Sequence, residues 1–144
     1  MNNLYSKEEI INLLYSKDVF NFLIKYNINT FIMFGSIITS EFTEESDVDL
    51  CVIGDINIKL DDILNLELFF ESLLNRKIDV VDLRSNSLDL LFKVNILNNC
   101  KIIYSTDNNR SFNLLYDEID RIYKENENFM YFRKVDLLSW IKKD

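Results

Sequence analysis

A Phe34-Gly35-Ser36 turn, followed after ten intervening residues by Asp47-Val48-Asp49, constrains this chain more than any other feature. The run Thr30-Phe31-Ile32-Met33-Phe34 is β-branched and aromatic, so it reads as a buried strand, and Gly35 ends it where the backbone must turn tightly. A helix is expected just after Ser36. Its first N–H groups and the Ser36 hydroxyl would point at one spot suited to a phosphate, and the missing side chain of Gly35 would let that phosphate approach closely. Asp47 and Asp49 then open a second strand. Residues two apart on a strand share a face, so both carboxylates project one way while Val48, Leu50 and Val52 face the other. Two oxygen ligands on one face can hold a hard cation.

A third carboxylate, Asp79, lies in the hydrophobic run Ile78-Asp79-Val80-Val81-Asp82-Leu83. Period-two alternation puts Asp79, Val81 and Leu83 on one face and Ile78, Val80 and Asp82 on the other, so Asp79 and Asp82 cannot serve the same site. Asp82 therefore reads as a surface or capping carboxylate. Alone, an Asp-x-Asp pair reads as a solvated turn and Gly-Ser as a simple strand end. Their fixed separation and the third aspartate together favour a site.

Composition narrows the chemistry. The chain has no histidine, which removes the usual general base, Ser-His and Cys-His nucleophile systems and most zinc sites, and leaves carboxylate chemistry. Gly35 and Gly54 are too few for a dinucleotide-binding glycine fingerprint or a phosphate-binding loop. Sixteen basic against twenty-four acidic residues give a net charge of −8, which opposes direct nucleic acid binding and anionic membranes. No apolar run approaches the roughly 18 residues of a membrane span, and the N-terminus lacks a signal-peptide pattern, so a cytoplasmic protein is expected. Cys51 and Cys100 fall in predicted strands and read as small buried hydrophobes.

At 144 residues the expectation is one domain over 1–128, with an aromatic tail or short helix over 129–144. Ser6 and Glu9 predict a capping box opening one helix to about Tyr26, with Ile10, Leu13, Leu14, Phe20 and Ile24 at helical spacing. Further helices are expected from Asp61 to about Asn75, after a cap at Ser85 to Ser87, and after Thr106-Asp107. The last carries a stripe of Phe112, Leu115, Tyr116, Ile119, Ile122 and Tyr123. Lys101 to Tyr104 reads as a fourth strand. The alternation argues for an α/β or α+β domain. In the tail, Phe129, Tyr131, Phe132 and Trp140 suit a partner contact, and Trp140 suits a core equally.

Gly35-Ser36, Asp47-Val48-Asp49 and the lone Asp79 together resemble the signature of the DNA polymerase beta-like nucleotidyltransferase superfamily, and the short chain looks like its minimal, MNT-type branch. The resemblance spans roughly Thr30 to Tyr104. It implies that superfamily's α/β (α+β) fold, a small, mostly consecutive mixed sheet flanked by helices. It further implies Mg2+-dependent transfer of AMP from ATP to a hydroxyl, with Asp47, Asp49 and Asp79 as catalytic residues holding two Mg2+ ions and Gly35 and Ser36 binding the nucleotide. In the minimal branch the resemblance implies an antitoxin that adenylylates a tyrosine of a cognate HEPN-type RNase toxin. Two alternatives stay open: a non-catalytic antitoxin that neutralises the toxin by binding, and a small-molecule, aminoglycoside-like adenylyltransferase. Homo- or hetero-oligomerisation also stays open. One departure is visible. Where many family members carry alanine-arginine-glycine, this chain has Ile38, Thr39 and Ser40, so no guanidinium is available there to grip phosphate.

Overall fold

The computed structural model describes residues 4–141, with side chains described through position 127. Ser6 opens the first helix, α1 (Lys7–Leu14), through the expected capping box: its hydroxyl accepts the Glu9 N–H and Glu9 accepts the Ser6 N–H. The single helix expected to Tyr26 is two, because α1 stops at Tyr15 and α2 (Lys17–Ile24) restarts from an extended Ser16. The reason lies in the apolar spacing. Ile10 and Leu14 are four apart, as are Val19 and Leu23, but the five-residue step from Leu14 to Val19 would rotate a continuous helix off its face. Breaking the helix buries all four, while Ile24, expected inside, is 54% exposed.

The chain then enters β1 (Ile28–Phe34), turns, and returns as β2 (Val48–Gly54), antiparallel to it. Helix α3 (Leu60–Leu74) ends on Asn75 in the left-handed region and crosses over to β3 (Ile78–Asp82), which pairs parallel to β2. After α4 (Leu90–Asn98), β4 (Cys100–Ser105) pairs antiparallel with the other edge of β1. The cap of α4 is at Asp89 rather than Ser85 to Ser87, whose serine hydroxyls bond to each other. The sheet is four-stranded and mixed, in the order β3-β2-β1-β4.

Both faces of the sheet are covered, so β1 and β2 read as almost unbroken apolar runs rather than alternating ones. On one face α1, α2 and α3 pack against Phe31, Met33, Val48, Leu50, Val52, Ile78 and Val80. Phe70 of α3 stacks on Phe31 with ring centroids 5.3 Å apart. On the other, Ile96 and Leu97 of α4 and Leu115 and Ile119 of the last helix, α5 (Arg110–Ile141), cover Ile32, Phe34, Cys51, Ile53 and Leu83. Each such fully buried aliphatic or phenylalanine side chain contributes about 1.5–3 kcal/mol.

Asp107 accepts from the Ser111 N–H at 3.0 Å and so serves the start of α5, as expected. The stripe on α5 is shorter than its spacing suggested: Leu115 and Ile119 are buried, but Ile122 is 38% exposed because the helix has passed the edge of the core there. The expected division at residue 128 falls inside α5, and the side chains of the aromatic tail lie outside the described ones. Burial pushes the thiols of Cys51 and Cys100 up, and both are free. Among the described residues, no helix is long and apolar enough to cross a membrane.

Candidate active site

Strand pairing brings the singled-out residues to one end of the sheet. Phe34, the last residue of β1, pairs with Asp49, and Asp49 pairs in turn with Asp79 on the parallel strand β3. Paired residues share a face, so Asp49 and Asp79 project together, on the side covered by α4 and α5. Asp47 stands one residue before β2 begins rather than within it. Of the three aspartates, Asp47 and Asp49 are half-buried and Asp79 is exposed.

Gly35 has φ +77°, a conformation that L side chains rarely adopt. A Cβ built there would overlap the Asp49 carboxylate. The sequence suggested that the missing side chain makes room for phosphate; in the fold, that room is taken first by Asp49. After Gly35 the expected helix is only a four-residue 3-10 turn, Gly35–Ile38, with Ile37 buried beneath it. Between Thr39 and Ser46 only Phe42 is apolar, too little for a helix face, and Thr39 turns back on the chain: its N–H and its hydroxyl both donate to the Ser36 carbonyl, each at 2.9 Å. So short a turn brings no helix macrodipole to the phosphate site proposed from the sequence. Ser36 itself is half-exposed.

Electrostatics couple the three carboxylates. Partial burial, then the charges of Asp79 and Asp47, lift the Asp49 carboxyl above the ordinary carboxylate value. Lys77 Nζ lies 4.0 Å from Asp47, with the lysine largely and the aspartate partly solvated, so it offsets little of this repulsion. An all-oxygen donor set carrying mutual repulsion suits a hard divalent cation. Among the described residues, no three ligating side chains already converge on one point, so the donor chemistry fits while the cage is not preassembled.

Asp82 is set apart, as its parity required. It is buried rather than at the surface, because its two oxygens accept the backbone N–H groups of Ile58 at 2.8 Å and Arg84 at 3.0 Å. Glu41, Glu44 and Glu45 are exposed, as a solvated loop should be. Two neighbours of the site went unnoticed in the sequence. Lys77 was signalled only by standing two residues before Asp79. Lys7 had no local signal at all, yet its Nζ donates to the Thr39 carbonyl at 2.7 Å, bringing an ammonium to the turn where the family pattern would have an arginine.

Known proteins share this fold. A family model described as polymerase beta, nucleotidyltransferase, matches residues 8–109. A Methanocaldococcus jannaschii protein provisionally named a protein adenylyltransferase is 27% identical over 106 residues, spanning 72% of this chain and 100% of the relative. Among solved structures, a chain from a toxin–antitoxin complex with AMP-PNP superposes with a TM-score of 0.69 at 18% identity, covering 89% of this chain and 98% of its own. A chain from a tri-AMPylated Shewanella oneidensis HEPN toxin in complex with its MNT antitoxin gives 0.65 at 16% identity, covering 92% and 99%. A structure provisionally described as a minimal nucleotidyltransferase gives 0.56 at 24% identity, covering 69% and 98%. At these identities the structural likenesses establish a shared fold.

Proposed function

The chain belongs to the polymerase beta nucleotidyltransferase family, and from that premise we propose that it transfers AMP from ATP to a tyrosine hydroxyl of a HEPN-type RNase toxin, acting as the antitoxin. The observation that carries this reading is the pairing of Asp49 with Asp79 across β2 and β3, with Asp47 adjacent and Gly35 cleared for the Asp49 carboxylate. The protein adenylyltransferase name of the relative and the toxin–antitoxin context of the similar folds support the acceptor class.

In this reading Asp47 and Asp49 would hold Mg2+, and Asp79 would complete a second metal position. When bound, such cations neutralise the charge that builds on the phosphoryl oxygens and leaving pyrophosphate. Asp79, the exposed member, faces the incoming hydroxyl and can accept its proton. The Gly35–Ser36 turn holds the terminal phosphates, and Lys7, through Thr39, keeps that turn in place. The hydroxyl oxygen bonds to the α-phosphorus, the bond to the bridging oxygen breaks, and pyrophosphate leaves.

Intact-mass spectrometry of the partner encoded beside this chain, incubated with the protein, Mg2+ and ATP, tests the proposal. AMP-sized gains on the partner, absent with the Asp47→Asn, Asp49→Asn double variant or with chelator, are the expected result. A stable complex without any gain favours a second reading, an antitoxin that acts by binding. One observation favours that alternative: Thr39 stands in place of the family's arginine.

A further inference from the structure

Arg76, in the turn between α3 and β3, reaches across the fold to the segment that leads into Asp47. Its Nη1 donates to the carbonyls of Thr43 and Ser46, each at 2.9 Å. Its Nη2 reaches the Tyr5 carbonyl at 3.4 Å, and the guanidinium carbon lies over the Phe42 ring, 4.7 Å from the centroid. The next residue continues the seam: the Lys77 carbonyl accepts the Val48 N–H at 3.1 Å. Two residues later, Asp79 pairs with Asp49. One short stretch, residues 76–79, therefore grips the chain before and after Asp47.

The gripped segment has little else to hold it. Thr43 to Asp47 forms neither helix nor strand, and its internal bonds are those of one small turn, in which Ser46 N–H donates to the Thr43 carbonyl and the Thr43 N–H to the Ser46 hydroxyl. A planar guanidinium can bridge two carbonyls and stack on an aromatic ring at once, which an ammonium cannot.

We propose that Arg76 is a positioning residue that locks the approach to β2, so that Asp47 and Asp49 meet Asp79 in a single register. Its consequence for catalysis rests on the nucleotidyltransferase reading; its effect on the segment does not.

The test compares the parent protein with Arg76→Lys, which keeps the charge without the fork, and with Arg76→Ala. Hydrogen exchange read by mass spectrometry should show the peptide spanning Thr43–Asp49 exchanging about tenfold faster in both variants, with β1 and β4 unchanged. Mn2+ affinity, read by electron paramagnetic resonance, should fall about tenfold, and kcat should fall by up to about 10²-fold with a smaller change in KM. Methylguanidinium should restore part of each loss to Arg76→Ala but not to Arg76→Lys. Unchanged exchange in that peptide, or a rise spread equally over the chain, overturns the proposal. If Arg76→Ala does not fold, Arg76→Lys carries the comparison alone. A parent that takes up no Mn2+ and moves no AMP sinks the nucleotidyltransferase reading instead, while the exchange comparison still decides the role of Arg76.

Discussion

The Asp49 carboxylate occupies the space that any side chain at position 35 would need. Gly35→Ala therefore meets two obstacles, a positive φ and a clash with a proposed metal ligand. The backbone alone costs about 1–2 kcal/mol, and displacement of Asp49 should lower AMP transfer by at least about 10²-fold. Thermal melts beside a transfer assay check this; a folded Gly35→Ala protein with parental activity would show that the close approach is incidental.

Asp79→Asn and Asp82→Asn should separate function from stability. Asp79 is exposed and its removal should eliminate transfer with little change in Tm. Asp82 is buried and serves two backbone N–H groups. An amide can accept only one of them well, so Asp82→Asn should cost about 1–3 kcal/mol while the folded fraction keeps its activity. Equal loss of transfer in the two variants, normalised to folded protein, would refute the assignment of faces on β3.

Asp49 should also report on itself through pH. Its carboxyl is raised by burial and by the charges of Asp79 and Asp47, so the folded protein binds this proton more tightly than the unfolded chain does. Stability contributed by the group then falls as pH rises from the ordinary carboxylate value through the raised one, and the full penalty persists above it. Asp49→Asn should accordingly melt at a higher temperature than the parent near neutral pH, although inactive, and the difference should close on acidification. A lower Tm for the variant at neutral pH would contradict the repulsion.

Lys7 supplies the ammonium nearest in bonding to the 3-10 turn, through the Thr39 carbonyl. Lys7→Met should raise KM for ATP about fivefold, the equivalent of ~1 kcal/mol, and Lys7→Arg should retain most of the affinity. Steady-state kinetics with varied ATP decide; a KM that does not move would mean that the turn holds its shape without α1.

What could be read from the sequence was whatever depends on local periodicity. Strand parity alone separates Asp79 from Asp82 and keeps Val48, Leu50 and Val52 on the opposite face from Asp49, and the structure repeats that division. The Ser6–Glu9 capping box is similarly local. Register is not local: that Asp79 joins Asp49 was expected only from the family resemblance, and the overlap of Asp49 with Gly35 was not foreseen at all. The break at Tyr15–Ser16 was missed because Phe20 and Ile24 also match a helical period, and only packing selects Val19 and Leu23 in their place. Arg76 was missed because an arginine in a turn ordinarily faces water, and its carbonyl partners lie thirty or more positions away.

The strand order places Asp79 on a boundary strand of the sheet, while Asp49 sits on an interior one. If the chain transfers AMP as proposed, the carboxylate that meets the acceptor hydroxyl stands on a strand with one neighbour, and its partner Asp49 on a strand with two. The interior strand is hydrogen-bonded along both sides and the boundary strand along one, so in that reading the frame that fixes the cation is stiffer than the frame that greets the acceptor.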